Sequence, residues 1–485
     1  MVEITKEKFK DLSSDYNLIP IYKVIDKGNN TPVSVYKNLK DRSNTFLLES
    51  VEGNKNFARY SFIGLSPNKI IKTGDNEDFK SSDPLNELEK QISDIKTPKF
   101  KNLPEFNSGA VGFISYEAVS YFEPSVKKIK NQTSYFPESI FFITSSLIIF
   151  DNVENKIFIV SHADLRKAGS IEIEYEKALK DIQILNDLID SSKNIEHDYE
   201  QGSPKELKIN FLTDKEDFMK SVVDTKKLIY SGEMIQAVLS QKITVDVESE
   251  AIDIFSSLRK VNPSPYMFLL DCDDFKIIGS SPELLVKLQN GKTAVHPIAG
   301  TRPRGVDEKD DLKNEKDLLN DEKEISEHLM LLDLGRNDLG KIALPGSVKV
   351  TQQMEIERYS HVMHIVSHVE ADINPEFNAF DVLRSAFPAG TVTGAPKVRA
   401  MKLISEKEKY KRGPYSGAVG YFSYDGNMDT AIAIRTIVLK DNTAILQAGA
   451  GIVADSDPET EHNECLAKMG ALIKALEHAE KSKYK

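Results

Sequence analysis

Apolar residues in the N-terminal part of the chain come in short runs. Phe46-Leu-Leu48, Tyr60–Ile71, Gly109–Val119 and Ile140–Val160 are rich in β-branched and aromatic side chains and are bounded by Gly, Pro, Asn and Asp, which predicts strands. Residues 191–210 are polar, charged and turn-rich, and mark a boundary or a surface insertion. A helix is predicted over Lys215–Tyr230, ended by Gly232, and a strand over Ile235–Val247. Strands and helices then alternate to a last helix that starts near Asp457, has Pro458 in its first turn and reaches about Lys481. The reading is therefore an N-terminal region (1–190), a linker or insertion (191–211) and a C-terminal domain (212–480). One internal echo is present: Gly109-Ala-Val-Gly-Phe-Ile-Ser-Tyr-Glu117 resembles Gly417-Ala-Val-Gly-Tyr-Phe-Ser-Tyr-Asp425. Either two related sheet units face each other or the likeness is chance or shared strand chemistry; one short match does not choose.

Size and charge narrow the classes. A chain of 485 residues, 40% hydrophobic, is too long for one ordinary core. A net charge of -12 repels nucleic acid and anionic membranes. The most apolar stretch, Ile140–Phe150, is short and has a polar break, which suits a buried strand and not a membrane span. The charged N-terminus lacks a signal-peptide apolar region, and Cys272 and Cys465 form no framework of disulfides, so a cytoplasmic location is expected.

Candidate chemistry comes from five groups of residues. Asp321 caps a predicted helix that places Glu324 and Glu327 one turn apart, and the last helix repeats the device with Glu461 and Glu464. Four carboxylates brought together repel unless a hard divalent cation such as Mg²⁺ lies between them. The bland alternatives are a capping box for Glu324 and a helix-dipole partner for Glu461. His361, His364 and His368 would share a helical face and invite a transition metal, but their valine and isoleucine neighbours favour a strand. One acid–base histidine is the better reading. Gly390–Lys397 and Gln447–Ile452 are glycine-rich and match neither nucleotide fingerprint, so an anion held there is a carboxylate sooner than a phosphate. Arg435, inside the apolar strand predicted over Ala431–Val438, needs an anionic partner. His296-Pro-Ile-Ala-Gly-Thr-Arg-Pro-Arg-Gly305 reads as a rigid basic loop near an anion.

Taken in order, HPIAGTRPRG, EISEHLMLLDLGRNDLG, YSHVMHIVS, AGTVTGAPKVRAM, GPYSGAVGYF, AIAIRT, QAGAGIVADS and EHNE, spread over residues 212–480, resemble the chorismate-utilising enzymes, and among them the large-subunit family of anthranilate synthase. The resemblance implies an α+β fold with two facing antiparallel β-sheet units and helices on the outside. It implies Mg²⁺ held directly by Glu327 and Glu464, with Glu324 and Glu461 supporting through water. Tyr415 and Arg435 would contact the enolpyruvyl carboxylate of chorismate. Gly300, Thr301 and the amides of Gly449, Ala450 and Gly451 would make further substrate contacts. Glu283 would be the general acid for the departing C4 hydroxyl, His364 the family's catalytic histidine, and Thr391 part of the same pocket.

Two positions separate members of that family. Salicylate and isochorismate synthases carry a water-activating lysine where this chain has Gln236, and aminodeoxychorismate synthases carry lysine where it has Ala299. Both differences point to anthranilate chemistry, in which ammonia attacks C2. The aromatic often found before the glutamine is missing from GEMIQ. Leu47-Leu-Glu-Ser50 and Asn262–Phe268 resemble the family's L-tryptophan feedback site, implying contacts from Glu49, Ser50, Pro265, Tyr266 and Met267. Neither cysteine lies in a nucleophile turn, so ammonia derived from glutamine needs a separate glutaminase subunit and a hetero-oligomer is expected. The alternatives are an aminodeoxychorismate synthase component, a non-catalytic tryptophan-binding subunit, or, more distantly, a transition-metal hydrolase.

Overall fold

The short β-branched runs become strands because each can bury one face against a second sheet and the other under helices. The computed structural model describes residues 2–39, 42–51, 59–80, 82–127, 136–166, 169–192, 207–359 and 362–482. In chain order the strands are β1 (Leu18–Asp26), β2 (Thr45–Glu49), β3 (Tyr60–Gly64), β4 (Lys69–Thr73), β5 (Gly109–Ile114), β6 (Ser139–Thr144), β7 (Ser146–Asp151), β8 (Lys156–Asp164), β9 (Ile209–Phe211), β10 (Gln236–Asp246) and β11 (Tyr266–Asp271). They continue as β12 (Lys276–Ser281), β13 (Leu284–Gln289), β14 (Lys292–Val295), β15 (Ile298–Pro303), β16 (Lys349–Arg358), β17 (Val362–Asp372), β18 (Gly394–Ala395), β19 (Ala418–Ser423), β20 (Met428–Ile432), β21 (Thr436–Lys440) and β22 (Thr443–Ile452).

They make two sheets whose ladders are antiparallel. The larger runs β1-β8-β7-β3-β2-β11-β12-β21-β22-β10-β18, with β9 on β10; the smaller runs β15-β17-β14-β13-β20-β19-β5-β6-β4, with β16 on β17. β5 shows the layering. Val111 and Phe113 enter a core shared with Phe46, Leu47 and Leu269 of the larger sheet. Ala110 and Ile114 enter a second core under Leu85, Leu88, Phe380 and Leu383, which lie on the helices Pro84–Ile92 and Ala379–Ala386. The expected α+β architecture of two antiparallel sheets with helices is thus the observed one.

The boundary placed at 191–211 separates chain segments and not cores. Strands from both sides of it share both sheets, and residues 193–206 lie outside the described set. The internal echo is also resolved. Its two copies are β5 and β19, which pair with each other about Gly112↔Gly420. In the larger sheet β2 and β11 pair about Leu47↔Leu269. Reading outward from these two pairs, β3 matches β12, β6 matches β20 and β7 matches β21. The chain therefore folds as two similar halves around a pseudo-twofold axis, and the echo lies within one sheet instead of on facing sheets. Side-chain detail supports the match. Gly64 faces Phe46 and Gly279 faces Phe268, and a Cβ on either glycine would lie 2.1 Å from a ring carbon.

Candidate active site

The site forms where paired strands change sheets. β12 pairs with β21 in the larger sheet, and their continuations β13 and β20 pair in the smaller one. Pro282–Glu283 and Ala433–Arg435 carry the two crossings side by side. The Ser280 N–H donates to the Arg435 carbonyl (3.1 Å), and the Ile432 N–H donates to the Glu283 carbonyl (3.1 Å). The single strand expected over Ala431–Val438 is therefore wrong: it breaks at Arg435, which takes a left-handed φ of 49°. Such a conformation costs a non-glycine residue about 1–3 kcal/mol and is held here by the crossing. The equivalent crossing of the other half, Gly64-Leu-Ser-Pro-Asn68, puts Asn68 where Glu283 stands. Asn68 is tied to the Ser145 hydroxyl (2.8 Å).

Between the sheets and the helices Glu322–Gly340 and Pro458–Ser482 opens a cleft of about 600 Å³. Glu283, His364, Thr391, Gly300, Thr301, Tyr415, Arg435, Gly449, Gly451, Glu324, Glu327, Glu461 and Glu464 all line it. Ala450 does not; its methyl lies in a small core with Phe218, Val222 and Cys465, while its amide remains in β22 between the two glycines.

Glu283 is 8% exposed. Burial pushes its carboxyl up to about 8, with Thr391 and Lys468 offsetting part of the shift. At neutral pH it carries its proton. His364 is set in β17 opposite Thr301. Its Nδ1 lies 3.1 Å from the Gly300 carbonyl and 3.0 Å from the Thr301 hydroxyl. A carbonyl only accepts, so Nδ1 carries the hydrogen and Nε2 is left as an acceptor. Burial lowers the His364 pKa, so the ring is neutral.

Arg435 donates to the Lys468 carbonyl (2.6 Å). Among the described residues no carboxylate stands within ion-pair distance of it, so it is a partly buried cation facing the cleft. Tyr415 is 7% exposed, and burial raises its hydroxyl to about 12. The glycines of β22 make room: a Cβ on Gly449 would lie 2.9 Å from the Tyr415 hydroxyl, and one on Gly451 would lie 2.3 Å from Gln236 Nε2.

The four glutamates sit as two helical pairs on the cleft wall. Asp321 caps the first helix, accepting from the Lys323 and Glu324 amides (3.0 and 3.2 Å). Glu324 turns to the Arg302 guanidinium (3.4 Å). Glu327 accepts from Gln236 Nε2 (2.9 Å) and Glu464 pairs with Lys468 (2.6 Å). Glu324 is pushed up by burial and then by Glu327; Glu461 is pushed up by burial and, behind it, by Glu464. Among the described residues, no group of three or more His, Cys, Asp or Glu is drawn together tightly enough to hold a metal ion unaided. A cation that takes one or two carboxylates plus water and substrate oxygens fits this arrangement; a transition metal enclosed by protein ligands does not. The histidines act apart: His364 bonds as above, His368 Nδ1 meets the Thr351 hydroxyl (2.8 Å), and His361 lies outside the described residues.

Three cleft features escaped the sequence reading. Lys468 bonds the Gly449 carbonyl (2.9 Å) and, one turn after Glu464, was within reach of the helical-spacing argument. Gln447 lines both the cleft and a neighbouring cavity of about 260 Å³. Arg412, 2% exposed, is held by Glu408 (2.7 and 2.9 Å) and donates to the carbonyls of Val392 (2.7 Å) and Val238 (2.8 Å), both on the cleft wall.

The residues resembling a tryptophan site gather elsewhere. Glu49 pairs with Met267 across β2 and β11, and Arg259 grips Glu49 with two bonds (2.9 and 3.0 Å). Tyr266 donates to Asp429 (3.1 Å). The Val51 amide, just beyond Ser50, bonds the Ser264 carbonyl (3.2 Å), just before Pro265.

Residues 43–474 match the family model described as chorismate binding enzyme. The chain belongs to the chorismate-binding enzyme family. It is 42% identical to anthranilate synthase component 1 of Acetivibrio thermocellus, over 98% of both chains. It is 40% identical to anthranilate synthase component 1 of Pseudomonas aeruginosa, over 99% of this chain and 100% of that one. The crystal structure of anthranilate synthase component I from Streptococcus pneumoniae superposes with a TM-score of 0.76 at 37% identity, covering 92% of this chain and 99% of that chain. No helix among the described residues is long and apolar enough to cross a membrane.

Proposed function

We propose that this chain is the synthase subunit of a Mg²⁺-dependent anthranilate synthase of tryptophan biosynthesis, fed with ammonia by a separate glutaminase subunit and inhibited by L-tryptophan. The observation that carries the reading is one cleft holding a buried, protonated Glu283, an Arg435 without a carboxylate partner and two glutamate pairs. Chorismate is a dianion with a hydroxyl to lose, and these groups answer its charges and its leaving group.

Arg435, with Tyr415 beside it, receives the enolpyruvyl carboxylate; the Gly449–Gly451 stretch and Gly300–Thr301 position the ring. Glu327 and Glu464, supported by Glu324 and Glu461, would hold Mg²⁺, which would neutralise the ring carboxylate. Ammonia attacks C2 while Glu283 gives its proton to the C4 hydroxyl, which leaves as water; loss of pyruvate then makes the ring aromatic. His364, neutral with Nε2 bare, is the group placed to accept a proton. No strong base for the nucleophile is required, and Gln236, engaged with Glu327, does not supply one.

The testing experiment supplies chorismate and ammonium with and without EDTA. Turnover should stop with the chelator and return with excess Mg²⁺, and glutamine should replace ammonium only when a glutaminase subunit is added. Chelator-insensitive turnover would contradict the metal assignment. Arg435→Met is expected to raise KM for chorismate about tenfold to a hundredfold, the loss of one charged hydrogen bond of about 1.5–3 kcal/mol; an unchanged KM in steady-state assays removes Arg435 from the anchor role. Ala299 lines the cleft, and Ala299→Lys is expected to divert product toward 4-amino-4-deoxychorismate, read by chromatography of the products. Tryptophan at about millimolar concentration should lower the rate, as a ligand with Kd in the micromolar range would, and Glu49→Gln should weaken that inhibition; a rate indifferent to tryptophan removes the feedback site.

A further inference from the structure

Glu117 and Asp425 end the two copies of the internal echo and hold equal positions in it. Their carboxylates do different things. Asp425 stays with its own turn, accepting from the Asn427 amide (3.2 Å) and from Asn427 Nδ2 (2.9 Å), and pairs with Lys99 (3.2 Å). Glu117, longer by one methylene, crosses to the other half of the molecule. It is 6% exposed, and its two oxygens accept from successive amides, the Arg412 N–H (2.7 Å) and the Gly413 N–H (3.0 Å). Both bonds are charge-assisted, which makes the pair a strong and directional anchor.

Those amides begin the segment that carries Tyr415 into the cleft. The ladder of β5 and β19 ends at Ile114↔Ala418, and beyond it the Tyr116 N–H donates to the Gly413 carbonyl (2.9 Å). On the other side Lys242 of β10 donates to the Lys411 carbonyl (2.6 Å). Residues 411–413 are therefore fixed through their own backbone. Gly413 and Ser416 then take left-handed φ values of 64° and 63°, and the Ser416 N–H donates to the Ala433 carbonyl (2.9 Å), beside the crossing that carries Arg435. Pro414 and Tyr415 span the gap between these two anchors. The ring of Pro414 fixes its φ, so a displacement at Gly413 is passed on to Tyr415. The Tyr415 hydroxyl has little room to move, because it ends over Gly449, 2.9 Å from where a Cβ would stand.

We propose that Glu117, a residue of the N-terminal half, is a positioning residue for the substrate: it acts through Tyr415, whose hydroxyl it holds at the enolpyruvyl carboxylate. The proposal rests on the reading of Tyr415 as a contact to that carboxylate. Tyr415 lines the cleft and Glu117 does not, so Glu117 reaches chorismate only through the segment it anchors. The carboxylate keeps its charge through the C2 and C4 steps, and the contact to it is therefore made in ground state and transition state alike. Loosening such a contact raises KM more than it lowers kcat.

The test is a double-mutant cycle of full-length chains: wild type, Glu117→Gln, Tyr415→Phe and the double variant, with chorismate, Mg²⁺ and saturating ammonium, each checked for folding by thermal melting. Glu117→Gln keeps the size of the side chain but turns an NH2 toward one of the two amides. It should raise KM for chorismate about tenfold, the worth of one charge-assisted hydrogen bond, and leave kcat within about threefold. Tyr415→Phe should raise KM as well. Adding Glu117→Gln to it should then raise KM by less than about twofold, because residues that act through one contact are not additive. Should Glu117→Gln fail to fold, Glu117→Asp takes its place in the cycle; it keeps the charge and draws the oxygens back by one methylene. An unchanged KM in the Glu117 variant overturns the proposal, whether or not its melting temperature falls. So does a full tenfold increment in the Tyr415→Phe background, which would mean that Glu117 acts through Arg412 or through the fold at large. If Tyr415→Phe alone has the wild-type KM, the reading of Tyr415 as the carboxylate contact fails and the proposal fails with it.

Discussion

Glu283→Gln is expected to lower kcat by about 10²–10⁴-fold, the usual contribution of a positioned general acid, and to leave KM for chorismate nearly unchanged. The amide keeps the size and the hydrogen bonds of the neutral acid but cannot release a proton. The same group sets a pH limb. Its folded-state pKa is raised to about 8 by burial, so the reactive, protonated form dominates below that value and disappears above it. At constant free ammonia concentration the rate should therefore fall as pH rises through about 8, and the limb should be missing from the residual activity of the variant. Steady-state kinetics over a pH series measure both effects. A variant with wild-type kcat would place the acid elsewhere.

Arg412→Ala is expected to cost about 3–5 kcal/mol of folding stability, the penalty for breaking a buried ion pair and leaving its partner charged. The guanidinium is fully buried between Glu408, two carbonyls and the Ser416 hydroxyl (3.3 Å), and lies 4.7 Å from the Tyr116 ring centroid. Without it the Glu408 side chain keeps its hydrogen bonds to the Ser240 amide and hydroxyl (2.9 and 2.7 Å) but loses its ion pair, with only the more distant Lys242 as an opposite charge. Arg412→Lys should recover little, because one ammonium cannot reach Glu408, Val392 and Val238 at once. Urea denaturation gives the difference directly. Val392 and Val238 are cleft residues, so activity should fall before unfolding is complete. A stability loss under about 1 kcal/mol would mean that the site relaxes and rehydrates.

Local signals carried much of the architecture. The helix Lys215–Tyr230 appears as predicted, and the last helix, Pro458–Ser482, begins at its proline. Asp321 caps the helix of Glu324 and Glu327, and both glutamate pairs face one cleft. These features depend on neighbours within a turn or two, which periodicity and capping rules report.

What stayed hidden depends on distant partners. Ala431–Val438 looks like one strand because the alternation of side chains does not change when a chain leaves one sheet for another. The break at Arg435 is set by Glu283 and Ser280 on the adjoining crossing. The likeness of β5 to β19 was visible, but not that the two copies pair about Gly112 and Gly420, since register belongs to the assembled sheet. Arg412 stands in Lys411-Arg-Gly-Pro414, a segment that reads as a basic loop. One of its partners, Val238, is 174 residues away. The pocket of Glu283 was reached through resemblance; its raised pKa comes from burial that no local pattern encodes.

On the proposed function, the cleft aminates chorismate at C2 and releases an aromatic product. The most direct measurement is to incubate the isolated chain with chorismate, Mg²⁺ and ammonium and to identify the product by fluorescence and mass. Anthranilate is the expected product, formed without glutamine or a second subunit. Isochorismate, 4-amino-4-deoxychorismate or unconsumed chorismate in its place would contradict the proposed function.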